Sequence, residues 1–179
     1  VTQPLDVIAR ALDMKLADAE MHLREAKRKL YEKRLERKPP ILDDKILTSW
    51  NGLMISAFAK AAFTLNEPRY AVVATRAAEF LMSSLWDGES LKRTWRNGAT
   101  KYAAYLDDYA FLAAGLLDLY ESTGEALWLE KAQLLQARLD AHFWDAKLGG
   151  YFFVADDHES LLAREKPGYD GAVPAGNSV

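Results

Sequence analysis

Three groups of polar residues have the types and spacing to do chemistry on a sugar or other polyol. The first is Asp43-Asp44-Lys45 followed by Trp50-Asn51, the second is Tyr105 with Asp107-Asp108-Tyr109, and the third is Asp170 with Asn177-Ser178. Paired carboxyl groups are what glycoside hydrolysis needs: about 5–5.5 Å apart for retention, about 6.5–9.5 Å for inversion. Asp44 and Asp108 are the candidate catalytic pair, and one of them must sit in an apolar setting that raises its pKa. Asp43, Lys45, Trp50, Asn51, Tyr105, Asp107, Tyr109, Asp170, Asn177 and Ser178 are the candidate ligand-binding residues. Trp50, Tyr105 and Tyr109 offer flat rings to sugar faces.

Each group also has a structural alternative. One of Asp107 and Asp108 suits a helix cap. Asp43 and Asp44 stand too far before their helix to cap it, so their alternative is a loop salt bridge with Lys45 or Arg37. Asn177-Ser178 can cap a following helix. Trp86 and Trp144, at the ends of outer helices, read as packing residues. Cysteine is absent, which excludes disulfides, thiol catalysis and Cys–zinc sites among these residues. His22, His142 and His158 share no metal-ligand spacing. No metal and no cofactor are therefore expected.

The elements that must position these residues follow from hydrophobic periodicity. A short amphipathic segment covers 5–12. A longer helix covers 16–38 and is ended by Pro39-Pro40. Helices follow at about 49–65, from Pro68 to about 85, from Asp107 or Asp108 to about 122, and at 125–143. Residues 91–95 and 101–105, on either side of Asn97-Gly98, predict a β-hairpin. A further strand is expected at 151–154, with a return strand near 160–164.

The list contains a repeat. With Trp50 placed over Asp108, an offset of 58, Asn66-Glu67 falls on Gly124-Glu125, Tyr70 on Trp128 and Leu81 on Leu139. Leu85-Trp86-Asp87 falls on Phe143-Trp144-Asp145. Each unit reads as helix, turn, helix, Trp-Asp and hairpin, and such units bury their inner faces against neighbours. The expected fold class is all-α: tandem α-helical hairpins with small β-hairpins, part of an (α/α)6 toroid. Six units would make a ring of about 350 residues. Residues 1–40 are read as an N-terminal helix pair. Residues 41–179 are read as the first two α-hairpin units and the start of a third, one incomplete domain. First helices of successive units run parallel, so the three polar groups are expected at one mouth of the ring.

The string Asp43-Asp44-Lys45-Ile46-Leu47-Thr48-Ser49-Trp50-Asn51-Gly52-Leu53 resembles the signature of the YyaL-like, thioredoxin-domain-containing proteins, which include spermatogenesis-associated animal members. Asp108-Tyr109-Ala110 with Leu119-Tyr120, and Tyr169-Asp170-Gly171-Ala172-Val173-Pro174-Ala175-Gly176-Asn177-Ser178, are similar to two further motifs of that family; Ala175 stands where the family more often has Ser. The resemblance implies a fragment of a longer protein. That protein would have a thioredoxin-like domain followed by a domain similar to six-hairpin glycosidases and N-acylglucosamine 2-epimerases.

Two classes of function follow. One is carbohydrate binding or catalysis at the toroid mouth, glycoside hydrolase-like or sugar epimerase-like, with a sugar or polyol ligand. Epimerization commonly wants a histidine base, and no histidine stands at the start of an inner helix. The other is a non-catalytic scaffold docking the thioredoxin-like domain of the same parent chain or a protein partner, with self-association of the truncated piece through its open edges. Nucleic acid is not expected as a partner. Residues 1–40 are basic, with ten Lys/Arg against seven Asp/Glu, but the acids interleave at helical spacing as on a solvated face. The net charge of −3 gives no global pull toward polyanions. No apolar run approaches the roughly 20 residues of a membrane span, and no secretory pattern opens the sequence. The expected location is cytoplasmic.

Overall fold

A computed structural model describes residues 3–159 and 162–179, in two compact units, Val1–Asp43 and Asp44–Val179. The first unit contains α1 (Leu5–Ala11) and α2 (Leu16–Leu35). α2 stops three residues short of the expected 38. Lys38 precedes Pro39, whose ring disfavours helical geometry in the residue before it, and the last turn unwinds ahead of that block. The surface of α2 carries ion pairs at helical spacing, Arg28–Glu32 at 2.6 Å and Lys29–Glu25 at 3.0 Å. Two of its basic residues are thus answered within the helix.

The second unit holds the repeat. α3 (Thr48–Leu65) and α4 (Pro68–Ser84) form one hairpin, α5 (Leu106–Thr123) and α6 (Ala126–His142) the other. All four bounds of the second hairpin follow those of the first by 58 residues (48 to 106, 65 to 123, 68 to 126, 84 to 142). The turns are local chemistry. Asn66 and Gly124 take left-handed backbone geometry at the ends of α3 and α5, and Pro68 opens α4 where no amide donor is needed. Asp87 and Asp145 close matching turns: Asp87 accepts the Glu89 and Ser90 N–H groups, Asp145 those of Lys147 and Leu148. Those donors hold the Asp87 carboxyl far below the usual carboxylate range. The Lys166 ammonium and the same kind of backbone donors lower Asp145.

One core joins the four helices. Ile55 and Ala59 of α3, Leu81 of α4, Leu112, Leu116 and Leu119 of α5, and Trp128, Leu135 and Leu139 of α6 are all buried in it. α3 and α5 cross backbone to backbone at Gly52 and Gly115: a Cβ on Gly115 would lie 2.5 Å from the Gly52 carbonyl oxygen.

β2 (Lys92–Arg96) and β3 (Ala99–Ala103) form the expected antiparallel hairpin, with Trp95 opposite Thr100. Asn97 and Gly98 both take positive φ, 51° and 81°, as a two-residue primed turn requires. A third strand, β1 (Ile46–Leu47), adds to the open edge of β2, with Ile46 opposite Trp95. Two residues carry too little periodicity to be read as a strand. The second hairpin, expected at 151–154 and 160–164, is not formed as a ladder among the described residues. Tyr151 bridges back to Trp144, the Phe153 N–H bonds to the Glu165 carbonyl, and Arg164 spans the segment by donating to the Val154 and His142 carbonyls. Residues 160 and 161 of that expectation lie outside the described residues. The corresponding segments of the two repeats therefore form a strand pair in the first and a side-chain-braced loop in the second.

Candidate functional site

The beginnings of α3 and α5 and the short 3-10 turn Gly176–Ser178 are stitched together by two adjacent carboxylates. Asp108 is 0% exposed. Its Oδ1 accepts the Ser49 N–H of α3 at 3.0 Å, and its Oδ2 accepts the Tyr105 N–H and an Arg93 guanidinium N–H, each at 3.0 Å. It therefore closes the first turn of α5 and ties that turn to the neighbouring hairpin. Asp107 faces the other way along the chain. Its Oδ1 accepts the Gly176 N–H at 2.9 Å. It is half-buried, and burial pushes its carboxyl above the usual carboxylate range, against the pull of the Gly176 N–H. Two like residues thus have different environments: Asp108 is dry and bonded through both oxygens, and Asp107 is half-buried with its Oδ1 bonded and its carboxyl raised by burial.

Asp44 pairs with Arg96 on β2, brought in by the β1–β2 pairing. Asp43 closes the first unit, and Lys45 lines a cavity beside the β2–β3 hairpin. Trp50, one turn into α3, is 65% exposed, whereas the Asn51 amide donates to the Leu47 carbonyl at 2.8 Å and so fixes the entry to α3. Tyr105 stacks on Phe153 with centroids 4.9 Å apart and lies 4.9 Å from the Arg93 guanidinium.

Tyr109 departs from expectation. It is 2% exposed, its hydroxyl oxygen accepts the Leu91 N–H at 2.9 Å, and its ring meets Phe143 edge-on. A ring closed off in this way is a core side chain and offers no face to a sugar. Asp108 likewise reads as a fastening group, since its oxygens are committed to three donors. Asn177 spends its amide on the Tyr151 and Pro167 carbonyls and accepts the Tyr151 N–H at 2.7 Å. Asp170 accepts the Ala175 N–H at 2.9 Å; the Ser178 hydroxyl and that N–H lower its carboxyl.

Several groups had no local signal. His158 comes within 6.1 Å of the Tyr105 ring, centroid to centroid, and lines a small cavity of about 160 Å³ with Ser90, Tyr109, Arg138 and Asp157. His142, Asp156 and Asp157 bring ligand atoms within 4.8 Å of one another, but Arg138 already pairs with Asp157 and supplies a positive charge there. Farther along the helices, Ser56, Lys60 and Asp118 form a cluster between α3 and α5, with Lys60 2.8 Å from Asp118. No helix among the described residues is long and apolar enough to cross a membrane.

This architecture is that of the α/α-toroid enzymes. The chain superposes on a cellobiose 2-epimerase of Spirochaeta thermophila with a TM-score of 0.57 at 20% identity, over 61% of this chain and 28% of that one. A GH76 α-mannanase of Bacteroides thetaiotaomicron gives 0.57 at 16% identity, over 65% and 33%. A sugar epimerase from a ruminal bacterium gives 0.57 at 13%, over 76% and 33%. These likenesses show the fold.

The relationship by sequence is closer. Spermatogenesis-associated protein 20 of Rattus norvegicus is 43% identical over 162 residues, 84% of this chain and 20% of the relative; the Homo sapiens protein is 41% identical over the same length. An uncharacterized Caenorhabditis elegans protein is 35% identical over 175 residues, 93% of this chain and 24% of that relative. The chain is thus similar in sequence to the spermatogenesis-associated proteins and spans about a fifth of their length. No protein-family model matches it.

Proposed function

We propose that the second unit carries part of a carbohydrate-directed site at the end where α3, α5 and the Gly176–Ser178 turn begin, with Asp107 as its acid–base carboxyl. One observation carries this reading. Asp107 is a half-buried carboxyl with a raised pKa, beside a carboxylate that is wholly committed to structure. A general acid must keep its proton to higher pH than a free carboxyl does, and partial burial is the usual means. Asp44, charge-paired with Arg96, is the second carboxyl of this reading, and the exposed Trp50 ring is its stacking surface. Asp107 thereby takes the role that sequence reasoning gave to Asp108.

The test is Asp107→Asn. Asparagine keeps an oxygen for the Gly176 N–H and removes the ionizable group. A raised folded pKa means that Asp107 contributes stability below its unfolded pKa of 3.8 and loses it as pH rises through the folded value. The variant should therefore melt with the wild type at low pH and at or above it near neutrality. Titration with cello- and manno-oligosaccharides should meanwhile show weakened binding, and any glycoside cleavage should fall by about 10²-fold or more. Unchanged saccharide binding with a lowered melting temperature at pH 7 would rule Asp107 out and mark it as a fastening group.

An epimerase-like reading gains one specific observation. His158, far from α5 in sequence, packs near Tyr105 at the start of that helix. His158→Gln should abolish C2 epimerization of a reducing disaccharide while sparing its binding; retained epimerization excludes this role.

A further inference from the structure

The chain is acidic overall, with a formal charge of −3, yet residues 91–106 contain Lys92, Arg93, Arg96 and Lys101 and no carboxylate. These cations sit on the β2–β3 hairpin. A cavity of about 410 Å³ opens beside it, lined by Lys45, Thr94, Arg96, Asn97, Ala99, Lys101 and Tyr102. Three of those residues are cations and none is an acid. The volume falls within the roughly 300–1,000 Å³ of small-molecule sites.

Charge alone would not single this cavity out, because most of the hairpin's cations have partners. Lys92 faces Asp87, Arg93 is bound by Asp108, and Arg96 is held from one side by Asp44. The Lys101 ammonium has no carboxylate partner among the described residues. A second observation is independent of charge. Tyr102 takes a φ of +61°, interrupting the ladder between the Lys92–Ala103 and Thr94–Lys101 pairs. An aromatic residue adopts that backbone only at a cost, and such strain collects at binding sites. Its ring is left 69% exposed at the cavity wall. The lining thus combines a flat apolar face, a hydroxyl, an amide and a group of positive charges.

We propose that this cavity is a subsite for a negatively charged sugar residue, a uronate or a phosphorylated hexose, whose acidic group meets Lys101 and the open side of Arg96 while the ring lies against Tyr102. The proposal rests on the carbohydrate reading above and gives it a substrate class. One aromatic face and a cavity of single-residue scale favour a sugar unit over a nucleic-acid strand, which is held by several stacking rings along a basic groove.

Calorimetric titration of the 179-residue chain at low salt tests it, with a glucuronate-containing oligosaccharide, its neutral counterpart, glucose 6-phosphate, inorganic phosphate and a single-stranded oligonucleotide as probes. The acidic oligosaccharide should bind about tenfold more tightly than the neutral one, with the preference shrinking as salt screens it. Comparing it with glucose 6-phosphate distinguishes carboxylate from phosphate recognition. Lys101→Met should remove most of that preference without changing neutral-sugar affinity, Lys101→Arg should keep it, and Tyr102→Ala should weaken both sugars. Equal affinity for acidic and neutral sugars, or a Lys101→Met variant that keeps the preference, overturns the anionic subsite and leaves the carbohydrate reading standing. Inorganic phosphate binding as tightly as glucose 6-phosphate, or tighter binding of the oligonucleotide, overturns sugar recognition here. Failure of every saccharide to bind overturns both readings.

Discussion

Replacing Gly52 with alanine is expected to lower the melting temperature by about 6–10 °C, measured by thermal denaturation. A Cβ at this position would lie 2.5 Å from the Phe111 carbonyl carbon and 2.6 Å from the Leu112 nitrogen and the Phe111 oxygen. Those atoms belong to the backbone of α5 and cannot rotate aside, so the two helices must separate. Separation loosens the layer in which Ile55, Leu112 and Leu116 meet. Overpacking typically costs about 1–3 kcal/mol and more where backbone must move, which places this main-chain clash at about 3–4 kcal/mol. Alanine's better helix propensity returns about 1 kcal/mol. The clash wins because it is with main chain, leaving a net loss of about 2–3 kcal/mol, and each kcal/mol moves the midpoint by about 2–4 °C at this size. Gly115→Ala should behave alike, since its Cβ would meet the Gly52 carbonyl from the other side. Gly168, with open space around it, is the control, and alanine there should move the midpoint by about 1 °C at most. A Gly52→Ala variant as stable as wild type would show that α3 and α5 do not cross this closely.

Asp108→Ala should cost more. Three donors converge on that carboxylate in a fully buried position, and two of them are backbone N–H groups that cannot turn to another acceptor. Removing one member of a buried charged pair costs about 3–5 kcal/mol. Arg93 is one-third exposed and can turn part of its guanidinium to water, which places the loss near the lower figure. A midpoint drop of about 10 °C follows, about 3 °C for each kcal/mol. Asp108→Asn should lie between, because its amide NH2 must face at least one donor. If Asp108→Ala instead melts with the wild type and abolishes saccharide binding, Asp108 acts on ligand and Asp107 is the fastening group. The two aspartates therefore make a paired experiment: asparagine at 108 should destabilize, and asparagine at 107 should not.

Gly52 and Asn51 also change how the Asp-Asp-Lys…Trp-Asn-Gly string is understood. Asn51 fixes the backbone entering α3, Gly52 admits α5, and Ile46-Leu47 extend the sheet. Of this string, Trp50 keeps an exposed ring, and Asp44 is held by Arg96.

What the sequence alone determined is the repeat. Helix bounds, turn residues and the Trp-Asp ends recur at one offset, and each is set by interactions within a few residues: hydrophobic periodicity, left-handed Asn66 and Gly124, and the side-chain turns of Asp87 and Asp145. The resemblance to the spermatogenesis-associated proteins was legible for the same reason, since it was read from contiguous strings. The division of labour at the site was not legible. Which of Asp107 and Asp108 is buried depends on a hydrogen bond to Ser49, 59 residues away, and another to Gly176, 69 residues away. Asp44 finds its cation across 52 residues, through a two-residue strand too short to leave a pattern. Tyr109 and Tyr105 look alike in sequence, yet one helical turn puts the first in the core and leaves the second stacked on Phe153. Local forces decide where helices begin and end. The environment of a carboxylate is the sum of distant donors and excluded water, and only the packed hairpins bring those together.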